Sequence, residues 1–301
     1  MTKHFERAVL IWVACLLPPS VNAQSEPMDH VSTGDHTFAY HVVGDGTGTP
    51  LLMINGGPGV DHQYFHLSNI WSDFSPSRSV VFFDQPGTGQ SSAVGPEDTL
   101  SVAMVVEGME AIRKEIGAER FAVLGHSWGG YLAAAYAAQH PDRVERLILL
   151  APIPPRVSDM EVNFAPLWPD SLARGSGWRV GTPEHLQQDI RRHIAMSLYS
   201  PAVRESVMSS IVEIPYNTRQ NRLLYADARA NDLSEAAAAF PMPVLVATGR
   251  WDANVAARGS WNVHQMIPGS QFAVWEASGH YPMVEEPEAF LRVVEGFLSN
   301  E

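Results

Sequence analysis

The run Gly125-His126-Ser127-Trp128-Gly129-Gly130 constrains this chain most, because the apolar segment Phe121–Leu124 leads into it and an alanine-rich segment leads out. A strand that reverses sharply into a helix leaves no room for side chains beside the turn. Glycine is therefore required at 125 and 129, and the strained turn thrusts the Ser127 hydroxyl into the open. This is the pattern of a nucleophile elbow. A bare G-x-S-x-G also arises by chance as a structural turn, so the weight lies in the context: strand before, helix after, and an acid and a histidine downstream in order.

Those two residues are read off strand ends. The segment Pro243-Val-Leu-Val-Ala-Thr248 is a short apolar run bounded by proline and Gly249, as in a buried parallel strand, and Asp252 lies just beyond it. Gln271-Phe-Ala-Val-Trp275 reads as the next strand and is followed by Glu276-Ala-Ser-Gly-His280. Chemistry in open parallel sheets collects beyond the carboxyl ends of strands. Ser127, Asp252 and His280 all fall there and form the predicted catalytic set. The plain alternative for Asp252 is an N-cap for a helix over 253–266. A fourth strand, Leu51–Ile54, runs into Asn55-Gly-Gly-Pro-Gly59, where glycines let backbone N–H groups approach a substrate. The Gly57 and Trp128 N–H groups are the predicted oxyanion donors. Taken alone, that loop would read as an ordinary turn.

Four motifs, Asn55–Gly59, Val80–Ser91, Gly125–Gly130 and Gly279–Phe290, together resemble the prolyl iminopeptidase branch of the α/β-hydrolase superfamily. The order Ser, Asp, His is also that of the superfamily. The resemblance implies an α/β fold with a mostly parallel central sheet flanked by helices, and an inserted, mainly helical cap. It implies a serine hydrolase working through an acyl-enzyme, an aminopeptidase releasing proline or another N-terminal residue from short peptides. The glycine loop of that family usually begins with His, and this chain has Asn55, a mild departure because the donors are backbone groups. The family's aminopeptidases, as the resemblance implies, hold the substrate ammonium with carboxylates, one of which commonly follows the catalytic aspartate directly. That position is Ala253 here. A partly desolvated ammonium needs charge-assisted partners. Glu213 and Asp227 are the candidates to supply them, although such residues are more often solvated. The missing carboxylate leaves open an esterase, lactonase or amidase acting on a small neutral carbonyl compound, and more remotely an inert binding protein.

The chain has 301 residues, a length that one α/β core with an inserted cap reaches. Further strands are expected at 37–43, 80–83 and 147–150 and helices at 99–116 and 236–239, an alternation that reads as a parallel sheet. Prolines in Ala151-Pro-Ile-Pro-Pro155 and Pro241-Met-Pro243 mark the ends of the cap. The expected organisation is thus a core from 24–152 and 241–301 with a cap at 153–240. In the cap, Trp168, Trp178, Tyr199, Tyr216 and Tyr225 are polar-tipped aromatics suited to a pocket wall. Of these, Trp168, Tyr216 and Tyr225 are taken as substrate contacts.

Net charge is −13, with 20 basic and 33 acidic residues and no basic cluster that follows a phosphate backbone, so nucleic acid is not an expected partner. The expected partner is a small molecule or a short peptide; no oligomeric state is specified. His62 and His66 stand four apart, but no third metal ligand is identifiable and no H-E-x-x-H occurs. The Lys-Ser/Thr of a P-loop is absent too, and no cofactor is implied. At the N-terminus, Lys3 and Arg7 precede an apolar run from Ala8 to Leu17 and the small-residue site Val21-Asn-Ala23. That is the pattern of a secretory signal cleaved after Ala23. The run is too short to span a bilayer, so no stable membrane insertion is expected after cleavage. The only cysteine, Cys15, lies inside it, and Leu16-Leu17 continue the run past it, against lipidation. A mature chain without cysteine suits an oxidising compartment, the periplasm or the exterior.

Overall fold

The computed structural model describes residues 27–299, apart from positions 69, 75, 163–166, 168–182 and 212. The expected signal and Cys15 lie outside the described residues.

Among the described residues seven strands form one sheet: β1 (Asp29–Thr33), β2 (His36–Ile54), β3 (Arg78–Phe83), β4 (Phe121–His126), β5 (Val144–Leu150), β6 (Val244–Gly249) and β7 (Gln271–Trp275). They lie in the order β1-β2-β4-β5-β6-β7, with β3 on β2. The segments 37–43 and 51–54, expected as separate strands, belong to one extended run that folds back on itself. Its first leg pairs antiparallel with β3, from Tyr40↔Phe83 to Val43↔Val80. Its second runs in the same direction as β3, from Leu51↔Val80 to Met53↔Phe82, and parallel to β4. β3 therefore lies between the two legs. From the second leg to β7 the ladders are parallel.

The apolar runs follow from burial on both faces. β4 and β6 are buried at every position. Alternate side chains enter opposite cores: Phe121 and Val123, Leu147 and Leu149, and Val244 and Val246 face one, while Ala122 and Leu124, Ile148 and Leu150, and Leu245 and Ala247 face the other. Helices α1 (Val102–Glu115) and α2 (Trp128–Gln139) cover the first core. The second is closed by Phe65, Trp71, Phe74 and Phe290.

Between β5 and β6 stand α3 (Pro183–Ser197), α4 (Pro201–Ser210), α5 (Thr218–Ala230) and α6 (Ser234–Ala238). After β6 come α7 (Ala257–Met266), α8 (Pro282–Glu285) and α9 (Pro287–Ser299). The helix expected from Ala253 begins four residues later, because Asp252 organises a turn rather than a cap.

His62 and His66 lie on a 3₁₀ helix (His62–Leu67), and His41 joins them around Phe82. His62 Nδ1 is 2.7 Å from Asp84 Oδ1. No group of three or more His, Cys, Asp or Glu side chains among the described residues has the geometry to hold a metal ion. Burial, and then the neighbouring His62 and His41, press the pKa of His66 down to about 4. The unfolded chain takes up this proton near the ordinary histidine value, and the folded protein takes it up only near 4. The stabilisation present above about pH 6.5 is therefore lost as pH falls through that window. Replacing His66 by Asn should flatten the fall in melting temperature between pH 7 and pH 4; parallel curves for parent and variant would contradict this.

Candidate active site

The turn from β4 into α2 places Ser127 at φ 58°, ψ −119°, a strained conformation for a residue with a side chain. The flanking glycines are obligatory. A Cβ at Gly125 would land on the Gly129 carbonyl, and one at Gly129 on the Ile54 carbonyl. Ser127 N donates to Leu150 O at 2.9 Å, and Ser127 O accepts from Gly130 N and Ile153 N, each at 2.9 Å. The turn is thus pinned to the end of β5.

The loop after β6 carries Asp252, fully buried. Its Oδ1 accepts from Asn254 N (2.8 Å) and Val255 N (3.0 Å), and its Oδ2 lies 2.7 Å from His280 Nδ1. A carboxylate facing Nδ1 keeps the proton there and leaves Nε2 as the basic nitrogen. His280 N donates to Ser197 O (2.8 Å), and Ser197 Oγ donates to His193 O (2.6 Å) while accepting from Asn254 Nδ2 (2.8 Å). The end of α3 is thereby fastened to both loops. His193 lines the adjoining cavity, and burial, then the charge of His280, holds its pKa at about 4.

Ser127 and His280 share a cavity of about 1080 Å³ with Gly56 and Gly57. Gly57 has φ +115°, a conformation that favours glycine. A Cβ at Gly56 would approach Ser127 Cβ to 3.0 Å, so the glycine loop passes over the serine. Trp128 opens α2, whose N-terminal dipole suits an incoming anion. Its indole N–H donates to Gln85 Oε1 (3.2 Å), and Gln85 Nε2 donates to Asn55 O and Oδ1 (3.2 and 3.1 Å). Elbow and glycine loop are thus bridged. Val60, Leu67, Ile153, Ile190, Ile194 and Val255 give much of the cavity an apolar wall.

Of the predicted substrate contacts, Glu213, Tyr216 and Tyr225 line this cavity. Burial pushes the Tyr225 phenol up to about 12. Asp227 is a correction: its Oδ2 accepts from Val102 N at 2.8 Å, capping α1. Sequence reasoning lacked that long-range partner. Tyr199 stacks on Trp251 at the surface with ring centroids 5.0 Å apart. Trp168 and Trp178 lie outside the described residues. Ala253 is fully buried, so this position offers no carboxylate. Tyr64, His126 and Asn254 also line the cavity and were not singled out from the sequence. Only His126 carried a signal, being inside the elbow motif.

A family model described as the alpha/beta hydrolase fold matches residues 49–287. A proline iminopeptidase from Clostridium botulinum is 25% identical over 292 residues, covering 86% of this chain and 94% of the relative. A 2-hydroxymuconate semialdehyde hydrolase from Pseudomonas putida is 29% identical over 259 residues, covering 84% and 88%. Among solved structures, an alpha/beta fold family hydrolase from Bacillus anthracis superposes with a TM-score of 0.72 at 20% identity, covering 90% of this chain and 98% of that one.

Proposed function

The chain belongs to the alpha/beta hydrolase fold family, and from that premise we propose that it is a serine hydrolase working by two-step acyl transfer. The observation that carries this reading is His280, paired with the buried Asp252 at 2.7 Å, lining one cavity with a serine held at positive φ. Ser127 Oγ attacks the substrate carbonyl as His280 Nε2 takes its proton, and Asp252 holds the tautomer and stabilises the imidazolium. The Gly57 and Trp128 N–H groups receive the oxyanion. The imidazolium returns the proton to the leaving group, and water repeats the cycle on the acyl-enzyme.

The finer reading is an aminopeptidase acting on short peptides with a free N-terminus, proline among them. It is supported by similarity to proline iminopeptidases across most of the chain. With Asp227 committed to α1, Glu213 is left of the two proposed ammonium partners. The second reading is hydrolysis of a small neutral ester, lactone or amide. It is favoured by the buried alanine at 253, and by similarity to the semialdehyde hydrolase.

Proline-arylamide with a free amine, its N-acetylated form and a p-nitrophenyl ester separate the two. The peptidase reading predicts turnover of the free amine. It also predicts that Glu213→Gln raises KM for that substrate by roughly 10- to 100-fold, the value of a charge-assisted bond, without altering the ester reaction. Turnover of the ester alone would overturn the finer reading and leave the serine mechanism standing.

A further inference from the structure

We propose that Tyr64 and His126 form a positioning relay that sets the glycine loop and the His280 loop against the elbow. The proposal rests on the serine-hydrolase reading of this site. Tyr64 Oη lies 2.6 Å from Gly56 N and 2.8 Å from His126 Nδ1, and His126 Nε2 lies 2.8 Å from the carbonyl oxygen of His280. Three separate stretches of chain meet in this line of bonds.

The direction of every bond is fixed. A carbonyl only accepts, so His126 Nε2 carries a proton. Burial, and then the charge of His280, holds His126 well below the ordinary histidine range, so the ring is neutral and Nδ1 is an acceptor. Tyr64 must then donate its hydroxyl proton to Nδ1, which leaves its oxygen to accept the Gly56 N–H. The order is Gly56 N–H to Tyr64, Tyr64 O–H to His126, His126 N–H to His280.

This arrangement has a consequence for the oxyanion. Gly56 N–H is committed to the phenol, which leaves Gly57 N–H as the next loop donor for an oxyanion in the cavity that Gly57 and Ser127 both line. The other end of the relay anchors the backbone of His280, whose ring lies against His126 with centroids 4.6 Å apart. Donor and base are therefore set by a buried group that comes from the elbow itself. A tyrosine serving only as core packing, against Phe65 at 4.6 Å and Tyr281 at 6.0 Å, would need no hydroxyl.

Tyr64→Phe keeps the packing and removes both hydroxyl bonds. Displacing an oxyanion donor or a base by a fraction of an ångström to an ångström costs up to about a hundredfold in rate. The expected result is a kcat lower by roughly 10- to 100-fold with KM within about twofold of the parent. The affinity for butylboronic acid, which forms a tetrahedral adduct on a serine, should weaken by the same factor as kcat. The double variant Tyr64→Phe/His126→Asn should lose no more than the weaker single variant, because the two residues act as one unit.

A Tyr64→Phe protein with parental kcat, or one that loses kcat at unchanged boronate affinity, would overturn the relay. Nitrogen-15 NMR of the histidine rings in the parent reads the same proposal without a variant. His126 should remain neutral and protonated on Nε2 through the pH range in which an ordinary histidine titrates. Protonation on Nδ1, or titration within that range, would overturn it. A parent that hydrolyses none of the three substrates and does not bind the boronate would instead remove the hydrolase reading, and with it the oxyanion role, whatever the NMR shows.

Discussion

Ser127→Ala should lower kcat by about a millionfold while the protein remains folded. The substitution deletes one oxygen and keeps the Cβ, so the backbone bonds that pin the turn, from Ser127 N to Leu150 and from Gly130 and Ile153 to Ser127 O, are untouched. What disappears is the atom that forms the acyl-enzyme. The glycine loop and the α2 N-terminus would still polarise a bound carbonyl, so a small residual rate over water should survive. Circular dichroism and melting temperature check the fold; progress curves on the turned-over substrate check the rate. A folded variant with activity near the parent would end the covalent mechanism.

The second large effect is expected at Asp252, where Asp252→Asn should cost about 10⁴-fold in kcat. The reasoning is local. The Oδ1 position must remain an oxygen, because Asn254 N–H and Val255 N–H both donate to it. The amide is therefore forced to place its NH₂ where Oδ2 met His280 Nδ1. Two N–H groups cannot face each other, so His280 shifts its proton to Nε2 and can no longer take one from Ser127. KM should change little, and the fold should hold because the side chain is isosteric. A variant within about tenfold of the parent would show that Asp252 does not set the tautomer.

Much of this site was legible because local sterics fix it. Gly125 and Gly129 are required by the approach of their neighbours' carbonyls, and proline and glycine punctuation bounds the strands that carry Asp252 and His280 to the same end of the sheet. What was not legible depends on contacts distant in the chain. Asp227 looked like a free cap carboxylate, and 125 residues separate it from the amide it accepts. The segments 37–43 and 51–54 carry separate apolar runs, and only pairing with β3 shows that one strand folds round it. Tyr64 gave no signal, since a hydroxyl that links Gly56 to His126 looks in sequence like any core aromatic. The alternative in which Asp252 caps a helix from Ala253 does not hold, because the side chain and its two backbone bonds form a turn and the helix begins at Ala257.

The measurement that bears most directly on the central claim is covalent trapping with a fluorophosphonate followed by peptide mass spectrometry. One phosphonyl group per chain on the peptide containing Ser127, formed at the rate at which activity is lost and absent from Ser127→Ala, is the predicted result. Modification at another residue with activity lost in step, or full activity after Ser127 is labelled, would contradict the account.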